Sequence, residues 1–149
     1  MPERSILKRQ VCFSLYAASR AATAVYRPLL QDLGLTYPQY LVMLLLWEHD
    51  GVSVRELGEE LELDSGTLSP LLKRLEAAGM LERRRTPDDE RRVAVHLTPH
   101  GAGLREKALA VPSHIAAAAG LTPDGLEQLN ATLAKVTAAL HAHAKDPAP

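Results

Sequence analysis

Cys12 is the one cysteine of this 149-residue chain. From it, Tyr16, Ser19 and Tyr26 follow at i+4, i+7 and i+14, all within about 40° of one helical face. A phenol beside a thiol can donate a hydrogen bond to the thiolate, which favours the charged form and makes sulfur a nucleophile toward peroxide oxygen. Tyr26, fourteen residues along, lies about 21 Å away at 1.5 Å per residue, so in a straight helix it reaches a partner chain's Cys12 and not its own. The plainer reading makes Cys12 a small apolar residue in a helix stripe and the tyrosines core, the commoner fate of a lone cysteine. Spacing alone does not displace that reading. A single cysteine also excludes an internal disulfide framework and a Cys-rich zinc site. Of the six histidines only His141 and His143 come close in sequence, and two residues apart on a helix they point different ways, so neither a metal nor a cofactor is expected.

A second constellation is cationic. The net charge of -1 argues against a general polyanion binder, but the charges are segregated. Residues 48–64 carry seven acids (Glu48, Asp50, Glu56, Glu59, Glu60, Glu62, Asp64) against Arg55, whereas residues 73–92 carry seven bases (Lys73, Arg74, Arg83, Arg84, Arg85, Arg91, Arg92) against five acids. A local basic patch is the footprint that matters for nucleic acid. Asp64, read as an N-cap, opens a segment in which Leu68, Leu71, Leu72 and Leu75 form an apolar stripe. Gly66, Ser69, Pro70 and Lys73 fall on the opposite face, flanked by Thr67 and Arg74, with Ser65 in the first turn. Short side chains allow close approach to base edges, hydroxyls donate or accept, and Lys73 and Arg74 suit phosphate. Pro70 removes one ladder hydrogen bond, and its outward position suits a thymine methyl or a slight bend. Among the hairpin arginines, Arg84 is expected to bind DNA and Arg91, beside the turn, to enter a narrow minor groove, with Asp89 holding its guanidinium. A solvated helix face and a solvated charge run are the ordinary fates of such residues; their adjacency is what points to DNA.

The elements that must position these groups are mostly helical. Leu (26) and Ala (22) dominate the apolar residues, while Ile (2) and Phe (1) are scarce, too few strand formers for an all-β fold. The length suits one domain, and neither a repeat nor an interdomain linker is evident. Helical composition over 5–32, closed by Gly34, gives a first helix; Tyr37-Pro38 opens a second, whose run Tyr40 to Trp47 is apolar on every face and so belongs in the middle of the domain. Val54, Leu57 and Leu61 mark a short third helix, and the leucine stripe after Asp64 a fourth, ended by Gly79. Leu81 to Arg85 and Arg92 to Leu97 then alternate with period two around the tip Thr86–Glu90, a β-hairpin with Val93, Val95 and Leu97 on one face. Thr98-Pro99 and Thr122-Pro123 each open a further helix, the first interrupted at Pro112 and ended by Gly120, before a frayed tail over 146–149. Helix, tight turn, helix and hairpin in that order make a winged helix-turn-helix, whose second helix fits the major groove while the hairpin reaches to phosphates or the minor groove. No run reaches the length of a membrane span, and the first ten residues carry Arg4, Lys8 and Arg9 without a signal-peptide core, so a cytoplasmic protein with no membrane partner is expected.

Asp89-Glu90-Arg91, continuing through Val95-His96-Leu97-Thr98 to Gly101, resembles the D-x-R…L-T-x-x-G wing signature of the MarR regulators, dimeric winged-helix repressors. The stretches CFSLYAASR from Cys12, LTYPQYLVMLLLWEH from Leu35 and LDSGTLSPLLKRLE from Leu63 are similar to the organic-hydroperoxide-sensing repressors of the OhrR group, a likeness covering residues 8–112. The resemblance implies a single domain over 1–149, with a winged helix-turn-helix over 52–98 and dimerisation helices over 5–34 and 99–145. It also implies a site completed across the dimer, with Tyr26 and Tyr37 approaching the other chain's Cys12 and Tyr16 nearby. The partners implied are a second copy of the chain, a pseudo-palindromic double-stranded operator and organic hydroperoxides. Without a second cysteine, a sulfenic acid at Cys12 is captured by a low-molecular-weight thiol or a backbone nitrogen, or oxidised further; this is the one-cysteine type. A repressor released by a small phenolic or drug-like ligand, with Cys12 structural, is the alternative. A thiol peroxidase is disfavoured, since one cysteine stands without a β-rich scaffold or a nearby arginine to polarise peroxide, and no enzyme is expected.

Overall fold

The computed structural model describes residues 5–146, apart from the side chain of Glu90. The expectations placed on Arg4 and on tail residues 147–149 lie outside the described residues. The described chain forms two compact units, one up to residue 111 and one from residue 112.

The first unit opens with a 3-10 turn, Ile6–Arg9, and helix α1, Val11–Gln31. The single helix expected from Ser5 is therefore interrupted at Gln10, whose backbone is extended. At its far end Gly34 (φ +70°) allows the Leu35 N–H to reach the Leu30 carbonyl and the Gly34 N–H the Gln31 carbonyl, a Schellman stop. Helix α2, Tyr37–Glu48, starts from a capping box the sequence reading overlooked: Thr36 accepts from the Gln39 N–H, and Gln39 accepts from the Thr36 N–H. Its apolar run buries Tyr40, Val42, Met43, Leu46 and Trp47, as expected of a central helix. Helix α3, Val54–Leu61, and helix α4, Ser65–Ala77, follow.

Strands β1, Leu81–Thr86, and β2, Asp89–Leu97, pair antiparallel from Leu81↔Leu97 to Arg85↔Val93, with an irregularity at Arg85/Thr86. The turn is thus Pro87-Asp88 alone, shorter than the five-residue tip read from the sequence. The predicted alternation is also imperfect, because Ala94 is buried as well as Val95. The cause is a third stretch of chain along β2: Ser53 bridges Ala94, the Val95 N–H donates to Val52, and the Gly51 N–H donates to Val95. Helix α5, Pro99–Ala108, completes this unit, capped by Thr98.

In the second unit lie most of α6, Val111–Ala118, and α7, Pro123–Lys145. Pro112 does not itself break the chain; the interruption is at Leu109-Ala110, and Pro112 occupies the first turn of α6, where its missing N–H costs nothing. Gly120 (φ +66°) ends α6, and the Thr122 hydroxyl caps α7 by accepting from the Gly125 N–H at 3.1 Å. Leu126, Leu129, Leu133, Val136 and Leu140 share one stripe of α7, yet no residue of this helix is buried. No helix among the described residues is long and apolar enough to cross a membrane.

Candidate DNA-binding surface and thiol site

Asp64 caps α4 as the sequence predicts, its Oδ1 accepting from the Thr67 N–H at 2.7 Å. That hydrogen bond holds the Asp64 carboxyl below its usual pKa, since ionisation strengthens the acceptor. The cap and the stripe of Leu68, Leu71, Leu72 and Leu75, all buried, fix the helix by one face. Ser65, Gly66, Thr67, Ser69, Pro70, Lys73 and Arg74 are consequently all exposed, and α4 runs on unbroken through Pro70. The surface offered is small, hydroxylated and basic, the one read from the helical wheel.

The wing arginines prove unequal. Arg83 Nε donates to Glu76 of α4 at 2.8 Å, Arg84 pairs with Glu82 on its own strand, and Arg92 lies 3.4 Å from Glu56 of α3. Arg85 and Arg91 are exposed and make no ion pair among the described residues. The expected grip of Asp89 on the Arg91 guanidinium is not formed: Asp89 Oδ1 instead accepts from the Arg91 backbone N–H at 2.9 Å. An aspartate two residues before an N–H in a turn reaches that donor more easily than a long side chain, an Asx arrangement that shapes the tip and leaves the guanidinium unspent. Between α3, the start of α4 and the wing lies an open cleft of about 780 Å³, lined in part by Val54, Ser65, Leu68, Arg83 and Arg91.

Cys12 stands exposed in the first turn of α1. One turn on, Tyr16 is also exposed, with the Arg20 guanidinium 5.5 Å above its ring. The other two tyrosines of the sequence reading lie elsewhere. Tyr26 and Tyr37 pack with tilted rings, centroids 4.7 Å apart, backed by Tyr40 at 5.9 Å and 6.5 Å, and Tyr40 in turn packs edge-on against Trp47 at 6.4 Å. Burial, then the neighbouring Tyr37 and Tyr40, push the Tyr26 pKa up to about 12, so its phenol stays a hydrogen-bond donor across the physiological range. Since α1 is continuous from Val11 to Gln31, Cys12 and Tyr26 are separated by about 21 Å of helix within one chain. The structure therefore brings Tyr26 and Tyr37 together and leaves Cys12 with Tyr16 at the other end of α1. A pocket of about 360 Å³ opens beside the two packed phenols, lined by Thr23, Tyr26, Arg27, Leu30, Leu35 and Tyr37 among others. Tyr40 was missed as a partner because it begins the all-apolar run, although its i+3 spacing from Tyr37 was a visible signal. Among the described residues no group of three His, Cys, Asp or Glu side chains is placed to hold a metal.

Residues 24–107 match the family described as transcriptional regulator SarA/Rot. The chain is 48% identical over 135 residues to the organic hydroperoxide resistance transcriptional regulator of Bacillus subtilis, covering 91% of this chain and 92% of that protein. It is 49% identical over 138 residues to the HTH-type regulator TtmR of Methylorubrum extorquens, covering 93% of this chain and 71% of TtmR. Among solved structures, reduced AbfR bound to DNA and overoxidized AbfR bound to DNA each superpose with a TM-score of 0.74 at 36% identity, over 90% of this chain and 94% of theirs; AbfR is from Staphylococcus epidermidis.

Proposed function

Because the chain belongs to the MarR family of winged-helix transcriptional regulators, with the organic hydroperoxide resistance regulator among its relatives, we propose that it is a DNA-binding repressor released from its operator when an organic hydroperoxide oxidises Cys12. The observation that carries the reading is a divided site: an exposed thiol at one end of α1 and, about 21 Å along, two packed phenols beside an open pocket. Two copies related by a two-fold axis would join each chain's Cys12 to the other's Tyr26 and Tyr37, with Tyr16 beside the sulfur. The bare faces of α1, with Val11, Phe13 and Val25 exposed, and of α7, with Leu129 and Leu140 exposed, support such a dimer.

In the joined site one phenol donates to the Cys12 thiolate and another to the peroxide. The thiolate attacks the distal peroxide oxygen; the S–O bond forms, the O–O bond breaks, and the alkoxide leaves as the alcohol after taking a proton. The resulting sulfenic acid condenses with a low-molecular-weight thiol, releasing water and leaving a mixed disulfide, since the chain holds no second cysteine. Bulk added at α1 then alters the spacing of the two α4 helices, which must meet successive major grooves about 34 Å apart on a pseudo-palindrome. Ser65, Gly66, Thr67, Ser69 and Pro70 meet base edges, Lys73, Arg74 and Arg84 the backbone, and Arg91, its turn shaped by Asp89, the minor groove.

The test is the second-order rate of Cys12 oxidation by cumene hydroperoxide for the native protein, Tyr26→Phe and Tyr37→Phe. Slower oxidation in both variants with reduced DNA affinity kept is the expected result. If all three oxidise at the slow rate of an ordinary free cysteine, Cys12 is structural and the pocket beside Tyr26 becomes a ligand site instead.

A further inference from the structure

Glu56 holds two elements at once. Its Oε2 accepts from the Ser53 backbone N–H at 2.7 Å while the Ser53 hydroxyl accepts from the Glu56 N–H at 3.1 Å, the capping box that starts α3. Both of its carboxylate oxygens also lie 3.4 Å from Arg92 Nη2 on the wing. Ser53 is itself buried and bridges Ala94 of β2, so the base of the wing hangs by its backbone from the start of α3. Those backbone links stop at Ala94. Between there and the turn at Pro87-Asp88, Glu56–Arg92 is the one ion pair among the described residues that ties the outer half of the wing to the helix-turn-helix. Arg83–Glu76, the other tie, sits at the inner end, where Arg83 faces Val95.

We propose that Glu56 is a positioning residue for DNA recognition: through Arg92 it sets the angle of the outer wing, and with it where the adjacent Arg91 enters the minor groove. This rests on the reading of the wing as a minor-groove probe. A positioning role and a plain electrostatic one have opposite signs. A carboxylate near DNA repels the polyanion, so removing its charge strengthens binding unless the charge is needed to hold a cation in place.

Glu56→Gln separates the two roles within the residue, because the amide oxygen still accepts from Ser53 while the charge opposite Arg92 is gone. Binding is measured by fluorescence anisotropy on two operators that differ only in their flanks, A-tract or G·C-rich, since the former has the narrow minor groove that attracts arginine. Glu56→Gln is expected to bind the A-tract operator about two- to fivefold more weakly, the range open to an exposed ion pair, with little change on the G·C-flanked one. The salt dependence should be unchanged, because every cation remains. Arg92→Gln, which leaves the cap untouched, should lose the same preference, and the double variant should be no weaker than Arg92→Gln alone; this pair of comparisons stands even if Glu56→Gln folds poorly. A preference abolished by Arg91→Ala but kept by Glu56→Gln and Arg92→Gln overturns the role of Glu56 and leaves the wing reading intact. Absence of any flank preference in the native protein overturns both.

Discussion

Replacing Gly101 by alanine should damage the protein well away from any DNA-facing residue. Gly101 is buried in the first turn of α5, and a Cβ built on it would stand 1.9 Å from the Met80 carbonyl oxygen, against a backbone atom that cannot swing aside. Relief requires α5 and the start of β1 to part by about 1.4 Å, an overpacking that costs about 1 to 3 kcal/mol. The displacement also strains the Trp47 indole N–H bond to the Gly101 carbonyl, 2.9 Å long and buried, whose loss adds about 1 to 3 kcal/mol. Alanine's better helix propensity returns about 1 kcal/mol. The net expectation is a loss of about 3 kcal/mol, or roughly 6 to 12 °C in Tm for a chain of this size. Urea unfolding followed by the fluorescence of Trp47, the one tryptophan, measures it directly, at fixed protein concentration because association shifts apparent stability. A variant within about 0.5 kcal/mol of the native protein would refute the idea that close approach to Met80 is what requires glycine here.

Three further outcomes follow from the geometry. Asp64 has a folded pKa below its usual 3.8, so its contribution to stability is present above about pH 4 and fades as pH falls through the lowered folded value; Asp64→Asn, which caps without titrating, should flatten that part of a stability–pH curve. Lys73→Ala should weaken binding alike on every sequence and reduce the salt slope by about 0.9 for the one phosphate that its ammonium neutralises, whereas Arg91→Ala should hurt most on narrow-groove flanks; equal losses on all flanks would count against Arg91 in the minor groove. Mixed dimers test whether the thiol site crosses the interface: a Tyr26→Phe chain paired with a Cys12→Ser chain keeps its one Cys12 opposite an intact Tyr26, so it should oxidise at the native rate, and slow oxidation there would place Tyr26 in the same chain's site.

Much of the fold is legible in the residues because it rests on local chemistry. The Asp64 cap, the Thr98 and Thr122 caps, the leucine stripe of α4 and the hairpin pairing are decided within a few residues of sequence. Part of what differs depends on segments distant in the chain. The clean alternation of β2 is broken because residues 51–53 pair along its edge, some forty residues upstream. Glu56–Arg92 spans 36 residues and no local pattern announces it. The Asp89 error was one of reach, a backbone donor two residues away winning over a guanidinium. The tyrosines are visible as types and spacings, but that Tyr26 and Tyr37 pack against Tyr40, far from Cys12, depends on the angle between α1 and α2.

The central claim is that chemistry at Cys12 decides whether the protein stays on DNA. It is tested most directly by operator binding of the native protein and Cys12→Ser, each measured reduced, after cumene hydroperoxide with a small thiol, and again after dithiothreitol. The native protein should bind when reduced, release on oxidation and rebind after dithiothreitol, while Cys12→Ser binds throughout. Release of Cys12→Ser by the hydroperoxide to the same extent as the native protein would contradict the claim.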